Sequence, residues 1–389
     1  MSEETIACSF IPLVDAAPLI VAREMGFDQG EGIRIELRKE RSWSALRDRV
    51  LSGGAAAAHM LTPLPIAMNL GLGGAASRMH VLSILSMNGD VIGAAPRLAA
   101  MIREGGPPLD INDAHAVGAR LAKTAKLPLR IGVPFPFSMH LELLDYWLSA
   151  IGIRPDDRSI HIVPPPLMPV AVKAGEIDLF CVGEPWGSAA VEARAAEIIL
   201  AGSAIWRFAP EKALAVSDAT MKERPDAAAR LLRATWRAGR WLSEDANRLT
   251  ASEFLSWPHY LGVEPDIIER AFSGRITVAP EGYEARVNDF IAFFDRAATF
   301  PWRSQAIWIA RRLAARHDLP LRAADDAARA SFRADFYRQS LAETNADLPG
   351  ASEKIEGFLN ELTPVSSSKG QTFLGPDNFF DGEIFDFST

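Results

Sequence analysis

Cysteine is almost missing from this chain. Cys8 and Cys181 are the only two, each set in an apolar segment, so neither a disulfide framework nor a thiolate zinc site is expected and both thiols read as buried and inert. Long apolar runs are missing as well: residues 55–58 and 63–67 are interrupted well short of the roughly 18 residues of a membrane span. Nor is there a basic excess. Lys and Arg number 41 against 49 Asp and Glu, a formal charge of −8, which argues against a surface built for nucleic-acid phosphates. An acidic chain that captures an anion needs isolated local donors, because its overall field opposes the ligand. The opening Met1-Ser2-Glu3-Glu4-Thr5 carries acids where a secretory leader carries Lys or Arg. The expected location is therefore cytoplasmic, with no leader ahead of the first strand.

What is present is 48% apolar content spread over 389 residues, more than one hydrophobic core usually organises, so two lobes are expected. The pattern alternates strand and helix. Strands are predicted at residues 6–11, 33–37, 55–60 and 81–86, and helices at 18–25, 43–51 and 63–70, with Gly26 closing the first helix and Ser42 capping the second. A second copy follows, with strands at 129–133, 159–163 and 178–182 and helices at 138–151 and 168–174. Such alternation predicts an α/β fold with mostly parallel sheets covered by helices. Between the copies, the polar Gly/Pro stretch 103–112 reads as a surface excursion. Beyond Asp226 the chain turns helical, and 227–241 places Leu231, Leu232, Ala234, Thr235 and Ala238 on one face. The tail after Thr363 carries Phe373, Phe379, Phe380, Phe385 and Phe387, too many aromatics for a disordered arm, and is expected to wrap and pack.

Ligands in open α/β sheets sit beyond the carboxyl ends of strands, where helix N-termini offer free N–H groups. Three junctions have suitable residues: Arg41-Ser42-Trp43, Pro136-Phe137-Ser138-Met139-His140, and Gly183-Glu184-Pro185-Trp186-Gly187. The indole of Trp43 is a pure donor, Ser138 and His140 place a hydroxyl and an imidazole in one helical turn, and Gly183 permits close backbone approach. Lys212 would bring a full positive charge. Taken singly, each also has an ordinary role: Trp43 and Trp186 as core residues, His140 as a satisfied histidine, Lys212 as a solvated charge and Glu184-Pro185 as helix-start chemistry. Catalysis by His140, Glu184 or Cys181 lacks a neighbouring second histidine, acid pair or metal-spaced cluster, so a binding protein rather than an enzyme is expected.

Several segments together resemble one family, the NrtA/CmpA type of nitrate- and bicarbonate-binding proteins, and its cytoplasmic nitrate-sensor relatives of the NasS kind. They are Phe10-Ile11-Pro12-Leu13 with Ala17-Pro18-Leu19, Ser42-Trp43-Ser44 with Leu46-Arg47-Asp48, Ala58-His59-Met60-Leu61, and Asn88-Gly89. Phe135-Pro136 with Ser138-Met139-His140, Tyr146-Trp147-Leu148, Gly183-Glu184-Pro185-Trp186 and Pro210-Glu211-Lys212 follow in the same order. The resemblance implies a type II periplasmic-binding-protein fold with a hinge cleft, its first lobe made of residues 1–95 and 208–389 and its second of 96–207. It implies that Trp43, His140, Gly183 and Lys212 hold the anion, with Asn88, Asp90, Ser138, Glu184 and Trp186 around the pocket, and that neither a cofactor nor a metal takes part. His140 with Lys212 favours nitrate or nitrite over bicarbonate. The sensor branch implies a protein partner, an ANTAR-type RNA-binding antiterminator like NasT, with no direct contact to nucleic acid or membrane. The other branch implies the solute-binding component of an ABC importer. One position departs from the pattern: after Asn88-Gly89 the transport relatives carry an amide donor, and this chain has Asp90. A carboxylate facing nitrate would repel it, so either Asp90 turns away, toward Lys212 or a backbone donor, or the pocket here is tuned differently.

Overall fold

The computed structural model describes residues 4–74, 78–104, 106 and 108–389. The acidic opening Met1-Ser2-Glu3 lies outside them, as do residues 105 and 107 of the expected surface excursion. Two mixed sheets form the two lobes. The first lobe uses β1 (Glu4–Phe10), β2 (Ile33–Lys39), β3 (Ala57–Leu61) and β4 (Met79–Asn88). The second uses β5 (Asp90–Ala94), β6 (Leu129–Val133), β7 (Arg158–Ile162), β8 (Leu179–Gly183) and β9 (Glu197–Ala201), and the chain then returns to the first with β10 (Pro210–Ser217). Strand order is Ile291–Ala292, β4, β10, β3, β1, β2 in the first sheet and β7, β6, β8, β5, β9 in the second.

The expected parallel pairing holds for β1 with β2 and β3, and for β6 with β7 and β8. β5 and β10 run antiparallel to their neighbours. The reason is connection: each enters directly from the other lobe at the cleft, with no crossover helix to carry the chain back to the far end. The chain therefore crosses between lobes twice, at Asn88-Gly89 and at 202–209. This puts the first crossing at Gly89 rather than residue 95, because Asp90–Ala94 form β5, seated between β8 and β9 in the second sheet. Asn88 and Gly89 both take positive φ, 56° and 97°, which breaks β4 from β5 and lets the chain change sheets.

Burial follows the pattern that formed the strands. In β2 Ile33 and Ile35 face the core while Arg34 and Glu36 face water, whereas β3 and β8 are buried along their whole length. The helix Trp43–Leu51 starts on Ser42, whose Oγ accepts the Ala45 N–H at 3.2 Å. Gly26, at φ 69°, ends the turn after the helix Ala17–Glu24, as C-terminal glycines do. The long helix Pro225–Leu242 buries the five residues expected of it. Among the described residues, no helix is long and apolar enough to cross a membrane.

The C-terminal region straddles both lobes. Arg312 and Arg316 on the helix Arg303–His317 reach Glu142 on the second-lobe helix Met139–Ala150, and Arg312 also reaches Asp145 at 2.7 Å. In the tail, Phe379 stacks on Trp206 with centroids 4.8 Å apart and lies along Trp308, while the Phe380 N–H donates to Ile205 O at 2.9 Å. Phe380, Phe385 and Phe387 are partly buried on the core. Phe373 is the exception: in the short strand Phe373–Leu374 it is Leu374 that points inward.

Candidate functional site

The polar centre of the molecule lies where the two sheets meet at the crossings. From the first lobe come Asp15, just past β1; Trp43, opening its helix; His59, on β3; and Glu211 and Lys212, at the start of β10. The second lobe adds Asp90 as the first residue of β5, His140 in the first turn after β6, Gly183 as the last residue of β8, and Glu184 beside it. Every one of them is buried. This convergence is a product of topology, since parallel strands end at the cleft and the two antiparallel returns begin there.

Lys212 Nζ stands 2.8 Å from Asp15 Oδ2 and 2.6 Å from Glu211 Oε1, and 5.8 Å from the centroid of the Trp43 ring. An ammonium has three N–H donors, so one remains for a ligand. His59 Nε2 lies 2.7 Å from Asp15 Oδ1; across the cleft, His140 Nε2 lies 3.0 Å from Asp90 Oδ1 and its Nδ1 3.3 Å from Glu211 Oε1. These imidazole contacts are at ion-pair distance without hydrogen-bond alignment. Trp43 Nε1, Thr62 Oγ1, Glu184 Oε1 and Glu211 Oε2 have no hydrogen-bond partner within the protein, and the two imidazoles and Asp90 are held only by the close contacts just described. Buried polar atoms left unpaired cost about 1–3 kcal/mol each, so such a concentration marks a place built to receive a polar ligand. A Cβ on Gly183 would stand 3.4 Å from both Asp15 Oδ2 and Asp90 Oδ1, so a larger residue there would crowd the gap between the lobes.

The charges are unequal in kind. Burial works against ionised Asp15, but Lys212 and His59 outweigh it and hold the acid at about 2. Burial likewise works against Lys212, and its three carboxylate neighbours overcome it and raise the ammonium above its ordinary value. Asp90 is pushed up to about 6 by burial, with Lys212 pulling the other way. Burial and then the charge of Asp90 drive Glu211 up to about 8, and burial raises Glu184 to about 7. Burial lowers His140 to about 4, so this imidazole is neutral at pH 7.

Trp43, His140, Gly183 and Lys212, the four expected ligand positions, are brought together. Of the two alternatives for Asp90, turning away is not what the fold allows: β5 pairing locks it opposite Gly183, facing His140 and Glu211. Three of the surrounding positions serve structure instead. Ser138 Oγ accepts the Leu141 N–H at 3.2 Å and donates to Phe135 O at 2.7 Å, fixing the helix turn that aims His140. Asn88 is consumed by Arg207 O, Asp289 O and the Ala209 N–H. Trp186 Nε1 donates to Pro12 O at 2.8 Å, tying lobe to lobe. Glu184 also bridges the lobes, through its backbone, where its carbonyl accepts the Val14 N–H at 2.8 Å. Asp15, His59 and Glu211 join the site without a helix-start signal of their own. His59 and Glu211 sit inside the motifs quoted above; Asp15 follows Leu13-Val14 at the end of β1, and a lone acid after a strand is a weak signal.

Asp90, His140 and Glu211 place three donor atoms within 4.8 Å of one another, all buried. Lys212 already stands 2.6 Å from Glu211 Oε1, so a cation already occupies the electronegative place beside this trio. A metal ion would meet that ammonium at close range, and the trio fits a proton-sharing cluster better than a metal centre.

The NMT1-like family matches residues 2–256. The nitrate/nitrite binding protein NrtA of Nostoc sp. is 32% identical over 385 residues, covering 97% of this chain and 82% of that protein. The nitrate import ATP-binding protein NrtC of Synechocystis sp. is 33% identical over 311 residues, 78% of this chain and 45% of that protein, so the chain spans less than half the length of this relative. The crystal structure of the periplasmic nitrate-binding protein NrtA from Synechocystis superposes with a TM-score of 0.84 at 26% identity, covering 99% of this chain and 96% of that one. The two-lobed periplasmic-binding-protein fold is thereby shared along nearly the whole chain, and the chain belongs to the NMT1-like family and, within it, to the NrtA/CmpA type.

Proposed function

We propose that this chain binds nitrate, with nitrite as a close competitor, between its two lobes, and that it acts by binding rather than by turnover. The observation that carries this reading is the meeting of Trp43, His140, Gly183 and Lys212 around buried donors that have no partner of their own. Nitrate is a planar monoanion with acceptor oxygens only, which suits an ammonium, an indole N–H and an imidazole N–H. Cys181 supplies no nucleophile, since burial holds its thiol well above the ordinary value. Calorimetric titration with nitrate, nitrite and bicarbonate tests the proposal directly. Saturable binding of nitrate at one site is expected, weakened more than tenfold by Lys212→Ala; no heat with any of the three anions would remove it.

For the output we propose a cytoplasmic sensor of the NasS kind, which holds an ANTAR-type antiterminator when empty and releases it when nitrate closes the cleft. Support comes from the wiring of the helix Met139–Ala150. His140 in its first turn faces the site, and Glu142, Asp145 and Tyr146 farther along are held by Arg312, Arg316 and the tail acids Asp381 and Glu383. A movement of this helix on closure is thus passed to an outer surface. Linkage requires the partner to weaken nitrate binding by the same factor as nitrate weakens the partner. Co-purification of the regulator without nitrate and its loss on titration is the expected outcome, and a complex equally stable with the pocket filled would end the release mechanism. The importer's solute-binding component is the second reading, favoured by the relatives' roles; cell fractionation separates the two, the sensor staying with the cytoplasm.

A further inference from the structure

Asp90 presents a carboxylate to a cleft that must hold an oxyanion. Its backbone is fixed by pairing with Gly183 and packing on Gly202, where an added Cβ would stand 3.1 Å from that of Asp90. Its Oδ1 lies 3.0 Å from His140 Nε2 and its other close neighbour is a second acid, Glu211, and no aligned hydrogen bond satisfies either Asp90 oxygen or Glu211 Oε2. The groups around Asp90 come from every element packed on it: Glu211 and Lys212 from β10, Asp15 from beyond β1, His140 from the helix after β6, Cys181 from β8, and Glu184 from beyond β8. His59 is turned to Asp15.

Resting on the reading that the cleft takes nitrate, we propose that the carboxyl pair Asp90–Glu211 takes up one proton from solvent when the anion binds. The charge count requires it. Lys212 and Asp15 cancel, His59 and His140 are buried imidazoles whose burial favours the neutral form, and the pair holds a single proton near pH 7, on the Glu211 side. The buried cluster is thus already negative by at least one, with Glu184 adding charge as it ionises near pH 7, before the anion's own charge arrives in a setting where water cannot screen the repulsion. A proton on Asp90 removes that repulsion and converts a lone-pair acceptor into an O–H donor aimed at the oxyanion. No covalent bond of the ligand changes; solvent supplies the proton and recovers it on release. Asp90, in place of an amide, makes anion capture conditional on proton availability.

The sign follows from linkage. Binding raises the affinity of the pair for a proton, so nitrate binds most tightly below about pH 6, where Asp90 is already protonated, and more weakly as pH rises. Between pH 7 and 8 the affinity should fall about tenfold per unit, the mark of one proton taken up per anion. Nitrate titrations of the whole protein in phosphate and in Tris, whose ionisation heats differ widely, count that proton without any mutation. One proton per nitrate in the parent, and loss of both the uptake and the pH slope in Asp90→Asn, whose amide donates without titrating, is the expected result. Nitrate bound with equal heat in both buffers and a flat affinity from pH 6 to 8 would overturn the proton uptake alone. Absence of nitrate binding from pH 5.5 to 8.5 would overturn it together with the nitrate reading.

Discussion

The two lobes bring opposite electrostatic solutions to one cleft. On the first-lobe side Asp15 lies between His59 and Lys212 and is held ionised, at about 2. On the second-lobe side Asp90 has the same chemical group and the same burial, faces a neutral imidazole and another acid, and is pushed to about 6. One carboxylate is stabilised by its surroundings and the other is left in want of a proton. Burial alone therefore does not set the state of an acid; the cation within 3 Å does.

The largest disturbance of this contrast is Lys212→Met. Without the ammonium, Asp15 and Glu211 face each other's field uncompensated, and breaking a buried ion pair in this way costs about 3–5 kcal/mol. Urea unfolding at pH 7.5 should show that loss and should show it shrinking toward pH 4. Asp15→Asn should cost somewhat less, about 2–3 kcal/mol at pH 7. Because the acid is depressed in the folded protein, its contribution is complete above about pH 4 and vanishes as pH falls through about 2; parent and variant melting curves should converge there.

His140→Gln tests the second-lobe side by affinity rather than stability. Loss of the imidazole donor should weaken nitrate by about 1.5–3 kcal/mol, more than tenfold, and unchanged binding would remove His140 from the ligand set. Asp90→Asn sharpens the contrast because its stability effect has the sign opposite to that of Asp15→Asn. A carboxyl raised in the folded state lowers stability as pH climbs from about 4 to about 6. The ligand-free variant should therefore match the parent at pH 4 and exceed it at pH 8 by about 2–3 kcal/mol. Trp43→Phe is the gentlest change, removing Nε1 and keeping a ring, and should weaken nitrate by about 1 kcal/mol.

Much of the fold could be read from residue order alone. Strand and helix periods located β1 to β4, β6, β7 and β8, and the capping roles of Ser42 and Gly26 appear as expected. Helix-start chemistry singles out Trp43, His140 and Gly183, which the fold buries together at the cleft. The returning strands were harder. Nothing in the run Asp90–Ala94 says which sheet it joins, because a short, fully buried strand is apolar on both faces wherever it sits. That ambiguity hid the boundary at Gly89 and made Asp90 look free to turn. Asp15 and Glu211 escaped for a related reason: an acid declares its role only through a partner far away in sequence, here Lys212, His59 and His140.

The two crossings also dictate an order of assembly. β10 is the strand that joins β3 to β4 in the centre of the first sheet, yet it is synthesised only after the whole of 90–201. During translation the second lobe is thus the first unit able to complete its sheet, while β1, β2 and β3 wait with an open edge at β3. Pairings so distant along the chain are slow to form, and waiting edges invite association with other chains. Pulse-labelled hydrogen exchange during refolding should find β6 and β8 protected before β3 and β4, making the anion cleft, which needs both sheets, among the last features to mature.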